Sequence, residues 1–321
     1  MKNYYRTISK EIKKIRRLFI DSDYRFQVCA SLGFYNRMND RTYLKKMFKY
    51  IMGYELNLNN PKTFNEKLQW LKLYNQRPEY TVMVDKYAVR SYIADRFGEK
   101  YLIPLIGVWN DPKEIDFTTL PNQFVLKCNH NSGLGMCICK DKSKLNIKDA
   151  KRELRKGLQQ NYYLTGREWP YKNVPRKIIG EKYMFHESQP DKALIDYKFF
   201  CFNGVADSVM VCLDRETGNP KFYFFDKKWN LKRYNIQGKK APYNFTLPKP
   251  ECISEMFSIA ESLSKGIPYV RVDLYYIDGK IYFGELTFFP DSGFDLNLLP
   301  DADLYWGKML ALPNKKENFM L

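Results

Sequence analysis

The sequence predicts an α+β protein, a helical N-terminal region followed by a strand-rich body. Three observations predict it. Up to Gly98, apolar side chains recur at helical spacing. Two strand-forming runs at 124–127 and 136–139 flank a polar, glycine-bearing turn. From 195 to 289, β-branched and aromatic runs follow one another with a single helical pattern near 251–265.

Taken in order, residues 1–20 read as a basic amphipathic helix. Ile8, Ile12, Ile15 and Phe19 form its apolar stripe, and Lys10, Lys13, Lys14, Arg16 and Arg17 occupy the other faces. Such a segment suits an anionic membrane surface, or a stripe packed on its own protein. Pro61, Thr63 and Glu66 form a helix start with a capping box, and Leu68, Leu71 and Leu73 follow as apolar surface. Pro78 marks a break. Val84, Tyr87, Ala88 and Ser91 then read as the stripe of a second helix ending near Gly98. Beyond Leu102-Ile-Pro104, Phe124–Lys127 is a short strand, Cys128–Gly135 a turn and Met136–Cys139 a second strand. Residues 144–164 are charged and helical. Arg176–Met184 begins as a strand and passes into a linker through Pro190. Strands are expected at 195–202, 205–212, 220–226, 269–276 and 281–289, with no internal repeat.

The 321 residues, 45% hydrophobic and 16% aromatic, can bury one large core or two to three lobes. The net charge of +17 points to an anionic partner, or to a surface serving solubility. Seven scattered cysteines without a C-x-x-C pair read as reduced thiols of a cytoplasmic protein. With two histidines a His-rich metal centre is excluded, and histidine acid–base chemistry would rest on His130 or His186. No apolar run is long enough to span a membrane, and no signal peptide is expected.

The chemistry concentrates near the end of the chain. Tyr269-Val-Arg-Val-Asp-Leu274 and Ile281-Tyr-Phe-Gly-Glu-Leu-Thr287 read as a hairpin turning at Asp278-Gly279. The pairing brings Asp273 and Glu285 together, two carboxylates that repel unless a cation such as Mg²⁺ lies between them. Arg271, two residues before Asp273, faces the same side. A cation beside such a pair suits a phosphoryl or acyl-phosphate group; the alternative is a surface hairpin with solvated charges. Lys127 with Asn131-Ser-Gly-Leu-Gly135 is a loop whose backbone N–H groups could cradle phosphate. It is no Walker A loop, because the lysine precedes the glycines and a strand follows.

Four phrases stand in order along the chain: Pro61-Lys-Thr-Phe-Asn-Glu-Lys67, Lys127-Cys-Asn-His130, Asp196-Tyr-Lys-Phe-Phe-Cys-Phe-Asn-Gly204 and Phe283-Gly-Glu-Leu-Thr287. Asp85-Lys86, Gly180-Glu-Lys-Tyr-Met184, Arg271-x-Asp273 and Ser292-Gly293 lie in order between and after them. This order resembles the ATP-grasp superfamily of carboxylate–amine ligases, and within it the TupA-like ATP-grasp group, named for teichuronopeptide biosynthesis. The resemblance covers roughly residues 60–310. It implies an ATP-grasp fold with ATP in the cleft between two lobes. The implied division is a helical region at 1–75, a small lobe at 76–184 and a larger, mixed-sheet lobe at 185–321. Lys86 and Lys127 would bind ATP phosphates, with Asn131, Ser132, Gly133 and Gly135 closing over them. Glu181, Lys182, Tyr183 and Met184 would be the interlobe segment whose backbone reads adenine. Lys198 would face the phosphates or the acyl-phosphate, and Arg271 would steady the acyl-phosphate or tetrahedral intermediate. Asp273 and Glu285 would hold Mg²⁺, joined by Thr287. That threonine departs from the Glu-x-Asn usual in the superfamily, which bears on whether there are one or two metal sites. His130, Ser292 and Gly293 are candidate substrate contacts.

The implied reaction is ADP-forming amide synthesis through an acyl-phosphate. It would join an amino acid or amine to a uronic acid or glutamyl carboxylate in cell-surface polysaccharide assembly. The expected setting is the cytoplasm, with peripheral contact to anionic membrane and no nucleic-acid partner. Two rivals stand beside it. A glycosyltransferase of the same kind of pathway would use a D-x-D pair, which does not occur near Asp273. A non-catalytic basic module would bind membrane or nucleic acid with steep salt dependence. His186 is expected at the surface and the five tryptophans in the core. Lys227, Lys228, Lys232 and Arg233 read as solvated charge or as contacts for an acidic polymer.

Overall fold

The structure, a computed structural model, describes residues 18–187, 189, 193–214 and 218–314. The amphipathic pattern of 1–20 therefore lies almost wholly outside the described residues; Phe19, at its end, is 79% exposed.

Two antiparallel sheets organise the chain. The smaller contains β1 (Leu105–Trp109), β2 (Phe124–Cys128), β3 (Met136–Cys139) and β4 (Ile178–Lys182) in the order β1-β4-β2-β3. The larger contains β5 (Asp196–Phe202), β6 (Val205–Leu213), β7 (Lys221–Phe225), β8 (Leu231–Lys232), β9 (Tyr269–Ile277) and β10 (Lys280–Thr287) in the order β10-β9-β5-β6-β7-β8. Every pairing in the larger sheet is antiparallel, which corrects the expectation of a mixed sheet. The reason is local: β5–β6 and β9–β10 are joined by tight turns at Asn203-Gly204 and Asp278-Gly279, where both residues of each turn have positive φ.

Helices cover both sheets. The N-terminal ones are α1 (Ser22–Ser31), α2 (Asp40–Met52), α3 (Phe64–Tyr74), α4 (Glu79–Val84) and α5 (Val89–Phe97). The later ones are α6 (Ile147–Gln159), α7 (Tyr163–Gly166), α8 (Ile236–Lys240), α9 (Ile253–Ser264) and α10 (Pro300–Met309). The capping box at the start of α3 forms as expected: Thr63 Oγ1 accepts from Glu66 N at 3.2 Å, and Glu66 Oε2 accepts from Thr63 N at 3.1 Å. The stripe from Val84 to Ser91 does not form one helix. Asp85 is extended (φ −74°, ψ 110°), and its Oδ1 accepts from Tyr87 N at 2.8 Å. That side-chain turn competes with the helix, so α4 ends before it and α5 starts after it.

Two apolar cores result. The small sheet packs on α6 through Phe124, Leu126, Ala150, Leu154 and Ile178. The large sheet shares one core with α1–α5, α9 and α10. Tyr80, Met83, Val84, Val89 and Ile93 belong to that larger core, so α4 and α5, placed in the small lobe by a boundary at 75/76, pack with the large sheet. Strand alternation sorts its faces. Along β5, Phe199 packs on Phe257 of α9, whereas Phe200 stacks on Trp306 of α10 with centroids 4.7 Å apart. Lys198 shares the face of Phe200, and that face carries the site.

Candidate functional site

The hairpin β9–β10 sets one wall of the site. Asp273 pairs with Glu285 and Arg271 with Thr287 across the strands, and Lys198 of β5 pairs with Asp273 from the other side. A register shift between Phe283 and Glu285 makes a bulge at Gly284, where an added Cβ would meet Asp273 O at 3.0 Å. The bulge aims Glu285 and Thr287 onto the face of Arg271. At the far end, the turn residue Asp278 accepts from Glu187 N at 2.9 Å and contacts His186 Nδ1 at 3.1 Å. His186 thus ties the linker to the hairpin instead of standing free at the surface.

The charges on this wall are tightly paired. Arg271 donates from Nε to Asp273 Oδ1 and from Nη2 to Asp273 Oδ2, both at 2.7 Å. Nη2 also reaches Glu285 Oε1 at 3.2 Å and Thr287 Oγ1 at 3.1 Å. Lys198 Nζ donates to Asp273 Oδ2, and lies 2.8 Å from Asp196 Oδ2. Burial works to raise the Asp273 carboxyl, and Arg271 and Lys198 work to lower it. Glu285 stands differently: burial would raise its pKa, but Lys86, Arg271 and Lys198 outweigh that and depress it to about 2.

The opposing wall comes from the small sheet and the turn after α4. Lys86 Nζ donates to Asn131 O at 2.7 Å and lies 3.9 Å from Glu285 Oε2, bridging the two walls. Its position is fixed by Asn129, which accepts from Lys86 N at 3.1 Å through its backbone and donates to Asp85 Oδ1 at 2.7 Å through its amide. Burial lowers the Lys86 pKa, Glu285 raises it, and neighbouring Lys127 lowers it again. On β2 and β4, Lys127 Nζ lies 2.6 Å from Glu181 Oε2, and Arg90 of α5 holds the other oxygen at 3.2 Å. The loop between β2 and β3 is anchored beneath. Gly135 has φ +71°, and a Cβ there would strike Gly157 of α6 at 2.6 Å, so only glycine allows this approach.

Between the walls lies a cavity of about 360 Å³. Lys198, Arg271, Glu285 and Thr287 line it together with Tyr162, Glu168, Tyr171 and Ser292. Phe200, Met210, Phe222 and Phe224 of the large sheet add an apolar wall. The turn at Pro290–Gly293 is held in place by α3. Gln69 donates to Gly293 O at 2.6 Å, and Lys72 Nζ donates to Ser292 O at 2.6 Å, Gly166 O at 2.7 Å and Gln69 Oε1 at 3.0 Å. Asp291 and Ser292 sit at φ 48° and 51°, a strained backbone for non-glycine residues, and this strut holds it.

The candidates from the sequence fall into three places. Lys198, Arg271, Glu285, Thr287, Ser132 and Ser292 line the cavity. Lys86, Lys127 and Glu181 form the cationic side of the cleft, with Gly133 at the exposed loop tip and Lys182, Tyr183 and Met184 running out of β4. Asp273, His130, Asn131 and Gly293 are buried structural neighbours. His130 Nε2 meets Gln160 O at 3.1 Å, Asn131 donates to Gly157 O at 3.2 Å, and Gly293 rests against Gln69. Sequence reasoning missed Glu168, Tyr162, Tyr171 and the α3 residues Gln69 and Lys72. Polar residues three apart, Gln69 and Lys72, on the otherwise apolar face of a helix were the available signal for the last two.

For Mg²⁺, Glu285 and Thr287 present hard oxygens toward the cleft, and the Glu285 side chain is 35% exposed. These two fit the ion. Asp273 would join them only by releasing Arg271 or Lys198, which occupy both its oxygens. Among the described residues no group of three or more His, Cys, Asp or Glu side chains is gathered for a metal.

Two sheets facing each other over a cleft, lysines on both walls and a carboxylate hairpin on one, define an ATP-grasp fold. A family model described as TupA-like ATPgrasp matches residues 66–311, and the chain belongs to that family. Solved structures of similar fold include D-alanine–D-alanine ligase from Bacillus anthracis complexed with ATP (TM-score 0.41, 16% identity, 71% of this chain and 60% of that one). The enzyme of the same name from Helicobacter pylori gives TM-score 0.41, 14% identity, and 77% and 69% coverage. The ATP-grasp ligase PsnB, complexed with a phosphomimetic variant of its minimal precursor, Mg and ADP, gives TM-score 0.41, 11% identity, and 87% and 71% coverage. The chain thus spans 60% of the length of the Bacillus anthracis enzyme. No curated protein matches the sequence.

Proposed function

We propose that this protein is an ATP- and Mg²⁺-dependent, ADP-forming carboxylate–amine ligase. The observation that carries the reading is the cavity lined by Arg271, Glu285, Thr287 and Lys198, with Lys86 reaching Glu285 from the opposite wall. The amide-forming route needs a carboxylate turned into an acyl-phosphate. Bound ATP with Mg²⁺ supplies the phosphoryl group and neutralises its charge. The chain's own residues do the rest. Lys86 and Lys127 give the cleft the cationic character that polyphosphate requires. Arg271, braced by Asp273, holds a rigid guanidinium edge beside the cavity, where oxyanion charge develops during attack on the acyl group. The aromatic wall of Phe200, Phe222 and Phe224 shields the acyl group from water and suits a substrate with a broad apolar face.

A uronic acid or glutamyl carboxylate as acid, and cell-surface polysaccharide assembly as setting, are the finer part of this proposal, and the TupA-like membership supports them. A cytoplasmic location rests on the scattered cysteines read as reduced thiols, and peripheral contact to anionic membrane on the basic pattern of 1–20. No described helix is long and apolar enough to cross a membrane. The test begins with thermal unfolding: ATP–Mg²⁺ should raise the melting temperature, since a ligand that binds only the folded state stabilises it. ADP release should then depend on an added carboxylate, screened with D-glucuronate and glutamyl peptides. ATP–Mg²⁺ that leaves the melting temperature unchanged would sink the reading.

A further inference from the structure

The cavity that Arg271 lines also holds one carboxylate that the nucleotide chemistry does not use. Glu168 is 3% exposed and lines the cavity. Its Oε1 accepts from Ser292 Oγ at 2.6 Å, the one hydrogen bond its carboxylate receives among the described residues. Lys72 on α3 is too far for an ion pair and gives its three protons to Gln69, Gly166 and Ser292. A buried carboxylate that keeps one oxygen free toward a cavity is costly unless a cation completes it. The fold defends this geometry. A Cβ on Gly166 would meet Ser292 Oγ at 2.3 Å and Glu168 Oε1 at 3.0 Å.

Building on the ligase reading, we infer that the cavity at Glu168 seats the amine substrate, with Glu168 pairing with its ammonium and taking its first proton. Tyr162 and Tyr171 line the cavity with Glu168 and Arg271 as neutral phenols, since burial pushes both pKa values up. Tyr162 and Ser132, which belongs to the loop of the nucleotide side, line the same cavity. The step balances. Glu168 first takes one N–H proton from the ammonium, which frees the nitrogen lone pair to form the C–N bond to the acyl-phosphate carbon. The second leaves with the phosphate as HPO₄²⁻ when the C–O bond breaks, so RCO–OPO₃²⁻ and R′NH₃⁺ give RCO–NHR′, HPO₄²⁻ and a protonated Glu168. The groups facing Glu168 are Lys72 from α3, Asp291 and Ser292 from the turn, Glu285 from β10, and the two tyrosines. Burial raises the Glu168 pKa, Lys72 and Ser292 lower it, and Asp291 and Glu285 raise it again. A carboxyl shifted upward is better matched to accepting a proton from an amine.

The test uses L-alaninamide, an ammonium near neutral pH, and lactamide, which carries hydroxyl in its place. Binding of each is followed by saturation-transfer NMR on the full chain with ATP–Mg²⁺. Alaninamide should bind at least about tenfold more tightly than lactamide. Glu168→Gln should abolish that preference while the melting shift with ATP–Mg²⁺ persists. The double variant Lys72→Met with Glu168→Gln, which leaves no buried lysine facing a neutral partner, should behave alike and covers the case that the single variant does not fold. Equal binding of both amides to wild type, no alaninamide binding by protein that ATP–Mg²⁺ stabilises, or a preference that survives in either variant would overturn the inference. A wild-type protein indifferent to ATP–Mg²⁺ would remove the ligase reading and this one with it.

Discussion

Asp273 and Glu285 face each other across the β9–β10 hairpin, yet their side chains are 2% and 35% exposed. One is the counter-charge of Arg271 and Lys198; the other opens to the cleft beside Lys86. Asp273→Asn removes the carboxylate shared by two buried cations, leaving Lys198 with Asp196 and Arg271 with Glu285, and should destabilise the fold by about 3 kcal/mol. Glu285→Gln, at a partly exposed carboxylate, should cost less in urea unfolding than Asp273→Asn but weaken stabilisation by ATP–Mg²⁺. Equal loss of stability in both variants would contradict this division of labour.

Lys127 and Arg90 share Glu181, at 2.6 Å and 3.2 Å. Lys127→Met leaves Arg90 to neutralise Glu181, so the fold should persist while ATP affinity falls about tenfold, or ~1.4 kcal/mol. Titration calorimetry measures this directly. Unchanged affinity would restrict Lys127 to supporting Glu181.

The capping box at Thr63 begins the helix that carries Gln69 and Lys72 to the 290–293 turn. Thr63→Ala removes the hydrogen bond to Glu66 N and should cost about 1 kcal/mol in denaturant unfolding. A neutral result would mean that tertiary contacts, such as Asn65 N donating to Asp303 Oδ1 at 2.9 Å, hold the helix start unaided.

Asp295 lines the cavity, and burial followed by the nearby charge of Asp291 raises its pKa to about 6. The folded state therefore holds a proton that the unfolded chain, with its pKa of about 3.9, has already released. Asp295 thus favours the folded state below pH 4, and this contribution is lost as pH rises from about 4 to 6. Asp295→Asn should remove that part of the decline. Parallel stability profiles for wild type and variant across this range would refute it.

The sequence alone carried the features set by neighbours in the chain. Alternation with period two put Arg271 and Asp273 on one face, Asp278-Gly279 forced the hairpin turn, and Thr63-x-x-Glu66 started a helix. Each depends on backbone torsions and contacts within a few residues, so each is written locally. The break between α4 and α5 was also local, but the Asx turn at Asp85 competed with an apolar stripe that read equally well as helix. What the tertiary structure decided was which charges are consumed and which remain open. Asp273 closes on Lys198, 75 positions away, Glu168 meets Ser292, 124 away, and Lys72 reaches Ser292, 220 away. Burial and charge pairing come from packing two sheets and the α3 strut around one cavity. Residue type and spacing hold no record of that desolvation, and so similar carboxylates acquired different roles.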